Sequence, residues 1–167
     1  MTHFREVQKF RQPWLWAILL APLCVVGWGA YQQLVLHRPW GDKPMPDNGL
    51  VMLCAALALF LLWFYSVRLV TEVRDTELIL HFVLLWRKKI ISLGEIRSVE
   101  AVQYRPIRDY GGWGVRRSLA GWAYNVSGNR GVQLKFWTGP EILIGSQRPE
   151  ELAAILEERR KAAGAPR

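Results

Sequence analysis

Between Trp14 and Val67 the chain carries four charged residues, Arg38, Asp42, Lys43 and Asp47, and all of them fall in one short stretch. Two apolar segments flank that stretch, the first from Trp14 to about Leu36 and the second from Leu50 to Val67. The second runs 18 residues without a charge, near the lower length limit of a bilayer-spanning helix. A helix that is apolar all round must be covered on every side, and nothing else in the chain can cover two of them. Lipid is the solvent that suits them. The sequence therefore predicts a transmembrane hairpin over residues 14–67, with helices at about 14–36 and 50–67. The loop 37–49 is stiffened by Pro39, Pro44 and Pro46. A cleavable signal peptide fits poorly, because the first stretch is long, opens on Trp and is followed by a second apolar segment.

Aromatic residues mark the ends of these segments. Trp14, Trp16, Trp40, Trp63 and Tyr65 are expected as membrane-interface anchors, and Arg68 closes the second helix. Arg5, Lys9 and Arg11 precede the hairpin, and Arg68, Arg74, Arg87, Lys88 and Lys89 follow it. The loop holds only Arg38 and Lys43. That imbalance of Lys and Arg predicts both termini on the cytoplasmic side, with residues 1–13 a cytoplasmic tail. Pro22 is expected to kink the first helix. Ala17, Ala21, Gly27, Cys54, Ala55 and Ala58 either seat the helices closely or merely tolerate lipid. Cys24 and Cys54 read as small hydrophobes; they offer neither a disulfide framework nor a metal site.

From Arg68 onward the composition is that of an ordinary soluble domain. It carries 17 Lys and Arg against 11 Asp and Glu, hence +6 of the chain's +8. A basic surface beside a membrane suggests anionic lipid headgroups, and no basic run interleaved with stacking aromatics points to nucleic acid. Strands are predicted at Glu77–Trp86, Lys88–Leu93, Ile96–Gln103, Gly131–Thr138 and Ile142–Ser146. Asp75-Thr76 and Thr138–Glu141 read as turns, and Ser127–Arg130 as the turn of a hairpin. A C-terminal helix over 149–163 has Pro149 at its first position, an apolar stripe of Leu152, Ile155 and Leu156, and a stop at Gly164.

Three stretches, Tyr110–Arg116 (YGGWGVR), Ala123–Leu134 (AYNVSGNRGVQL) and Ile142–Leu152 (ILIGSQRPEEL), carry a resemblance. They resemble a family of small bacterial membrane proteins in which a two-helix anchor precedes a pleckstrin-homology-like domain. The resemblance implies a membrane α+β protein: the hairpin, then a cytoplasmic antiparallel PH-like β-barrel over 68–167 closed by the C-terminal helix. It also implies the bacterial inner membrane as location. It carries over no catalytic residue, and the fold itself hosts lipid binding, protein docking and scaffolding alike.

The segment Tyr104–Tyr124 concentrates arginine, glycine and aromatic residues. Arg105, Arg108, Tyr110, Trp113, Arg116, Arg117 and Trp122 are the candidate surface for a partner protein or a lipid headgroup, since guanidinium forks suit carboxylate and phosphate. The plain alternative is a long connection packed down by its aromatics, with its arginines solvated. Gly111–Gly114 lacks the strand-to-helix setting of a dinucleotide fingerprint.

Catalysis finds no support. His3, His37 and His81 are far apart in sequence, no nucleophile elbow occurs, and the paired carboxylates on the last helix are explained by capping. A lone His37 is too little for haem or pigment. No catalytic, cofactor or metal residue is assigned, and no small-molecule substrate is indicated. The expected partners are membrane lipids and other membrane protein subunits. Two functions remain open: a structural or accessory subunit of a larger membrane complex, respiratory or photosynthetic, and a tethered module that reads anionic lipid or a cytoplasmic partner.

Overall fold

The computed structural model describes residues 1–118 and 121–164. The chain forms two units: Arg11–Ser66, and a second built from Met1–Phe10 together with everything from Val67 onward. Residues 165–167, included in the expected domain, lie outside the described residues.

In the first unit, α1 (Pro13–Ala30) continues into a π-helical turn, Tyr31–Val35, and α2 spans Asp47–Ser66. Pro13 fits the first helical position, where its missing N–H costs nothing. Both helices are long and apolar enough to cross a membrane. Their apolar side chains face outward, with Met52 70% and Leu59 66% exposed, which water alone would penalise. At one end, Trp16 meets Phe64 and Tyr65 edge-on, with centroids 5.7 and 6.2 Å apart. Toward the other end, Trp40 lies so close over Gly29 that a Cβ there would overlap its ring. The Gln33 amide, placed by the π-helical turn, donates to Met45 O (2.8 Å) and Asp47 Oδ1 (2.6 Å) and so folds the loop back. Of the small residues considered for helix seating, Cys54 and Ala58 are half-buried, whereas Ala17, Ala21 and Ala55 are exposed. A Cβ on Gly27 would meet nothing within 4 Å.

The second unit has two sheets around one apolar core. The first, in the order β1-β2-β3-β4, joins Thr2–Lys9, Arg68–Arg74, Glu77–Val83 and Lys89–Ser92, all antiparallel. The second comprises β5 (Ile96–Gln103), β6 (Gly114–Ser118), β7 (Gly121–Asn125), β8 (Arg130–Phe136) and β9 (Glu141–Gly145), in the order β5-β8-β9-β7-β6. A short helix, α3 (Pro106–Tyr110), precedes β6, and α4 (Pro149–Ala163) packs on β5 and β8. Leu69, Leu80 and Phe82 from the first sheet meet Val132, Leu134 and Ile144 from the second, and Leu152 and Leu156 of α4 complete the core. The last helix keeps its predicted bounds, and Lys161 pairs with Glu157 at 3.4 Å.

Several expectations are corrected. Residues 1–13 are not a tail: Thr2–Lys9 is the edge strand β1, paired with β2 from Thr2↔Arg74 to Lys9↔Arg68 with one irregularity between Thr2 and Phe4. Its inward side chains are Phe4, Glu6 and Gln8, and two of the three are polar, which hides the strand from an apolar pattern. The second helix ends at Ser66, because Val67 is 1% exposed in the sheet core. The strand predicted to reach Trp86 stops at Val83, where Leu84 turns the chain with φ +64°. Ser127–Arg130 does not close a hairpin, because β9 inserts between β7 and β8 and runs parallel to β7. The domain is therefore mixed rather than wholly antiparallel. Ile142, Leu143 and Ile144 are buried on both faces, and a strand apolar on both faces belongs at the centre of a sheet.

One contact fastens the edge strand to the far sheet. Glu6, 7% exposed, accepts from the Ser146 hydroxyl (2.6 Å) and the Gln147 backbone N–H (2.8 Å). Gln8 donates to Gly145 O (2.6 Å), and the Arg148 guanidinium donates to Arg5 O while lying 4.7 Å over the Phe4 ring. Replacing Glu6 with Ala would strand the buried Ser146 hydroxyl and the part-buried Gln147 N–H. The expected loss is about 1–3 kcal/mol of unfolding free energy. Denaturant unfolding of the full chain in detergent should show it, with Arg5→Ala, an exposed side chain, near neutral.

Candidate functional site

The arginine-rich segment is more ordered than a connecting loop. Pro106 starts α3, and the Asp109 carboxylate accepts the Arg105 backbone N–H at 2.7 Å. Gly111 ends the helix at φ +70°, a conformation glycine adopts freely. Its N–H and that of Gly112 return to Ile107 O and Pro106 O at 2.9 Å each, satisfying carbonyls at the helix end. Two strands follow, so Val115 and Arg117 alternate with Arg116 across the faces of the second sheet.

That alternation divides the candidate residues. Trp122 and Val115 pack against the main core between the sheets. Arg117 lies over the Trp122 ring at 5.8 Å, a cation–π arrangement. On the opposite face, Ala123 and Leu143 form a small second cluster with Tyr104, against which Tyr110 packs. The Tyr104 and Tyr110 rings meet edge-on at 6.0 Å. Trp113 donates its indole N–H to Gly128 O (3.0 Å), and Arg116 Nε donates to Trp113 O (3.1 Å). Arg105 and Arg108 remain on the exposed surface with Ile107, which is 69% exposed. The seven residues thus do not converge on one pocket: four hold the local fold, Arg117 rests on Trp122, and Arg105 and Arg108 face outward around an apolar side chain.

Two shallow depressions border this domain. One, of about 400 Å³, lies between Arg117, Trp122, Gly139 and Glu141. Glu141 accepts from Gln133 Nε2 at 2.8 Å, so the depression has both signs of charge and is not a simple anion seat. Gly121 on its wall sits at φ +130°, and a Cβ there would overlap the Glu141 carbonyl. Only glycine lets β9 approach β7 at that point. The other, about 550 Å³, lies on the outer face of the first sheet, where Arg5, Arg68, His81 and Lys88 surround Val7 and Val70. Sequence reasoning missed this cluster, because Arg5 and Val7 face the same way as Arg68 and Val70 only once β1 is known to be a strand. Among the described residues, no group of three or more His, Cys, Asp or Glu side chains could hold a metal ion.

The expected interface aromatics divide by end of the helical unit. Trp14, 49% exposed, lies at the start of α1, and Trp63 and Tyr65 are exposed near the end of α2. Trp40 is half-buried on Gly29. Arg68 begins β2, exposed. Compared with known protein families and with curated proteins, the chain matches none.

Burial governs the titration of the tyrosines. It pushes the Tyr104 hydroxyl up to about 12, while the Asn125 amide beside it works the other way. Burial likewise raises Tyr110, helped by the negative charges of Asp109 and Glu141. A raised tyrosine keeps its proton longer folded than unfolded. Its contribution is therefore intact below pH 10 and is lost as pH climbs toward about 12. Unfolding free energy should fall by on the order of 2 kcal/mol across that window. Tyr104→Phe should flatten much of the fall, read by denaturant titrations of the full chain at successive pH values.

Proposed function

We propose that the chain is a non-enzymatic, membrane-anchored protein with a pleckstrin-homology-like domain, serving as a structural or accessory subunit of a larger membrane complex. The assembly proposed is an energy-transducing one, respiratory or photosynthetic, of a bacterial inner membrane. The exposed apolar helices and their aromatic ends support the anchor, and two sheets with a C-terminal helix on one core support the domain assignment.

One observation carries the reading. β1 and β2 are hydrogen-bonded neighbours, yet the whole hairpin lies between them in sequence. Residues 1–10 and 67–164 must then lie on the same side of any bilayer that α1 and α2 cross, and their basic flanks assign that side to the cytoplasm. The domain would be held to the membrane by two chain crossings a few residues from its own sheet. Such a domain cannot wander on a flexible linker to find distant targets, which favours a fixed place in an assembly. Arg105, Ile107 and Arg108 then offer a compact arginine-flanked apolar knob for a neighbouring subunit. The rival reading, an arginine loop that grips lipid headgroups, shares two of its four guanidinium groups with local contacts, since Arg116 Nε donates to the Trp113 carbonyl and Arg117 lies over the Trp122 ring, both side chains staying exposed.

Native mass spectrometry after mild extraction from the source membrane should find the 19.3 kDa chain inside a larger assembly. A lone monomer at every detergent strength would overturn the proposal. Arg105→Ala and Arg108→Ala should each weaken retention in that assembly, roughly tenfold if they flank a hot spot, with the fold unchanged by circular dichroism.

A further inference from the structure

The two ends of the first sheet differ in chemistry. At one end, β2 turns into β3 through Arg74, Asp75 and Thr76, all polar and exposed. Asp75 there binds the N-terminal ammonium and, at 2.6 Å, His3 Nε2. At the other end, β3 turns toward β4 through Leu84, Leu85 and Trp86, exposed by 57%, 43% and 54%. Turn tips in water favour Gly, Asn, Asp and Ser, and three successive large apolar residues at one are a poor choice for a water-facing surface. Leu84 also takes a left-handed φ of +64°, which a leucine rarely adopts. The turn is closed by the Leu85 and Trp86 N–H groups, both donating to Phe82 O, at 3.2 and 2.9 Å. Arg87 and Lys88 follow, both exposed. Lys89 bends back, its Nζ 6.0 Å above the Tyr124 ring.

The strand register says which end this is. Val83 pairs with Arg68, and Arg68 pairs with Lys9. Phe10 and Val67, the points where the chain leaves the sheet for the hairpin, are the next residues along. Arg68 is two residues from Ser66, the last of α2, hence at most about 7 Å of backbone away. Val83 is one strand further, about 5 Å across the sheet. The apolar turn therefore belongs to the sheet end tied to the hairpin, and the polar turn to the opposite end.

The geometry points to a third membrane contact: Leu84, Leu85 and Trp86 dip into the interfacial layer of the bilayer that α1 and α2 span, and Arg87 and Lys88 face its anionic headgroups. Trp is enriched at that depth, leucine partitions into the acyl boundary, and the cations are drawn by a negative leaflet. Polar and charged groups near the turn are consistent with this. Arg68 and Lys88 border the same outer-face depression, with Glu72 as its one acidic member, further along β2 from this end. This inference rests on the membrane reading of the hairpin.

The test uses the full chain with Cys24→Ser and Cys54→Ser, carrying one environment-sensitive nitrobenzoxadiazole label at a time. The label sits at Leu85→Cys, at Thr76→Cys on the opposite turn, or at Leu59→Cys within α2. Each protein is reconstituted in vesicles of phosphatidylcholine, with or without phosphatidylglycerol, and probed with aqueous iodide and with brominated lipid. The label at 85 should show blue-shifted emission, several-fold protection from iodide and quenching by brominated lipid, while the label at 76 stays water-like. Phosphatidylglycerol should deepen the label at 85, and Arg87→Gln with Lys88→Gln should abolish that deepening. A water-like label at 85 beside a lipid-quenched label at 59 would overturn the third contact and leave the anchor standing. Iodide protection at 85 without quenching by brominated lipid would also overturn it, assigning the turn to a second copy of the chain. A label at 59 that brominated lipid cannot reach would overturn the anchor itself.

Discussion

The antiparallel pairing of β1 with β2 is the constraint on which the rest of the molecule depends. It joins the first ten residues to the chain that follows α2 and makes the hairpin an insertion within a sheet rather than an appendage to a finished domain. The pairing is secured by chemistry at its inner face, where Glu6 and Gln8 reach the end of β9. A buried carboxylate is tolerable only when donors surround it, and here a hydroxyl and a backbone amide do so. A strand that starts the chain thus bridges both sheets, and the core formed by Leu69, Phe82 and Ile144 closes beneath it.

How much of this could be read in advance depended on where each element keeps its apolar groups. The hairpin was plain, since α1 and α2 are apolar over most of their length and two polar breaks separate them from everything else. The last helix was equally plain, with Pro149 and Gly164 as punctuation and Leu152 and Leu156 one turn apart. β1 was invisible for the opposite reason: Phe4 is its lone large inward apolar side chain, and Val7 faces out. The parallel pair of β7 and β9 was misjudged because turn chemistry at Ser127–Arg130 is a local signal, whereas strand order is decided by distant packing. A clue did exist in the unbroken apolar run Ile142-Leu143-Ile144, which needs neighbours on both faces.

The candidate surface was legible in composition and illegible in arrangement. The crowd of arginine, glycine and aromatic residues between Tyr104 and Tyr124 is plain in the sequence. It could not say that strand alternation would send Arg117 to one face and Arg116 to the other, or that Trp113 would be used to pin a neighbouring turn. What survives at the surface is a smaller feature, Arg105 and Arg108 around Ile107.

A sheet interrupted by two long apolar helices also sets the order in which the polypeptide can mature. β1 leaves the ribosome ahead of its partner β2, which follows roughly sixty residues later, after both apolar segments have been made. Until then the strand has nothing to pair with, and Glu6 must wait longer still for Ser146, 140 positions downstream. The two-sheet unit therefore cannot close until both apolar helices and the strands after them have been made. Late closure comes with long-range contacts, which slow folding, and it leaves β1 unpaired until they form.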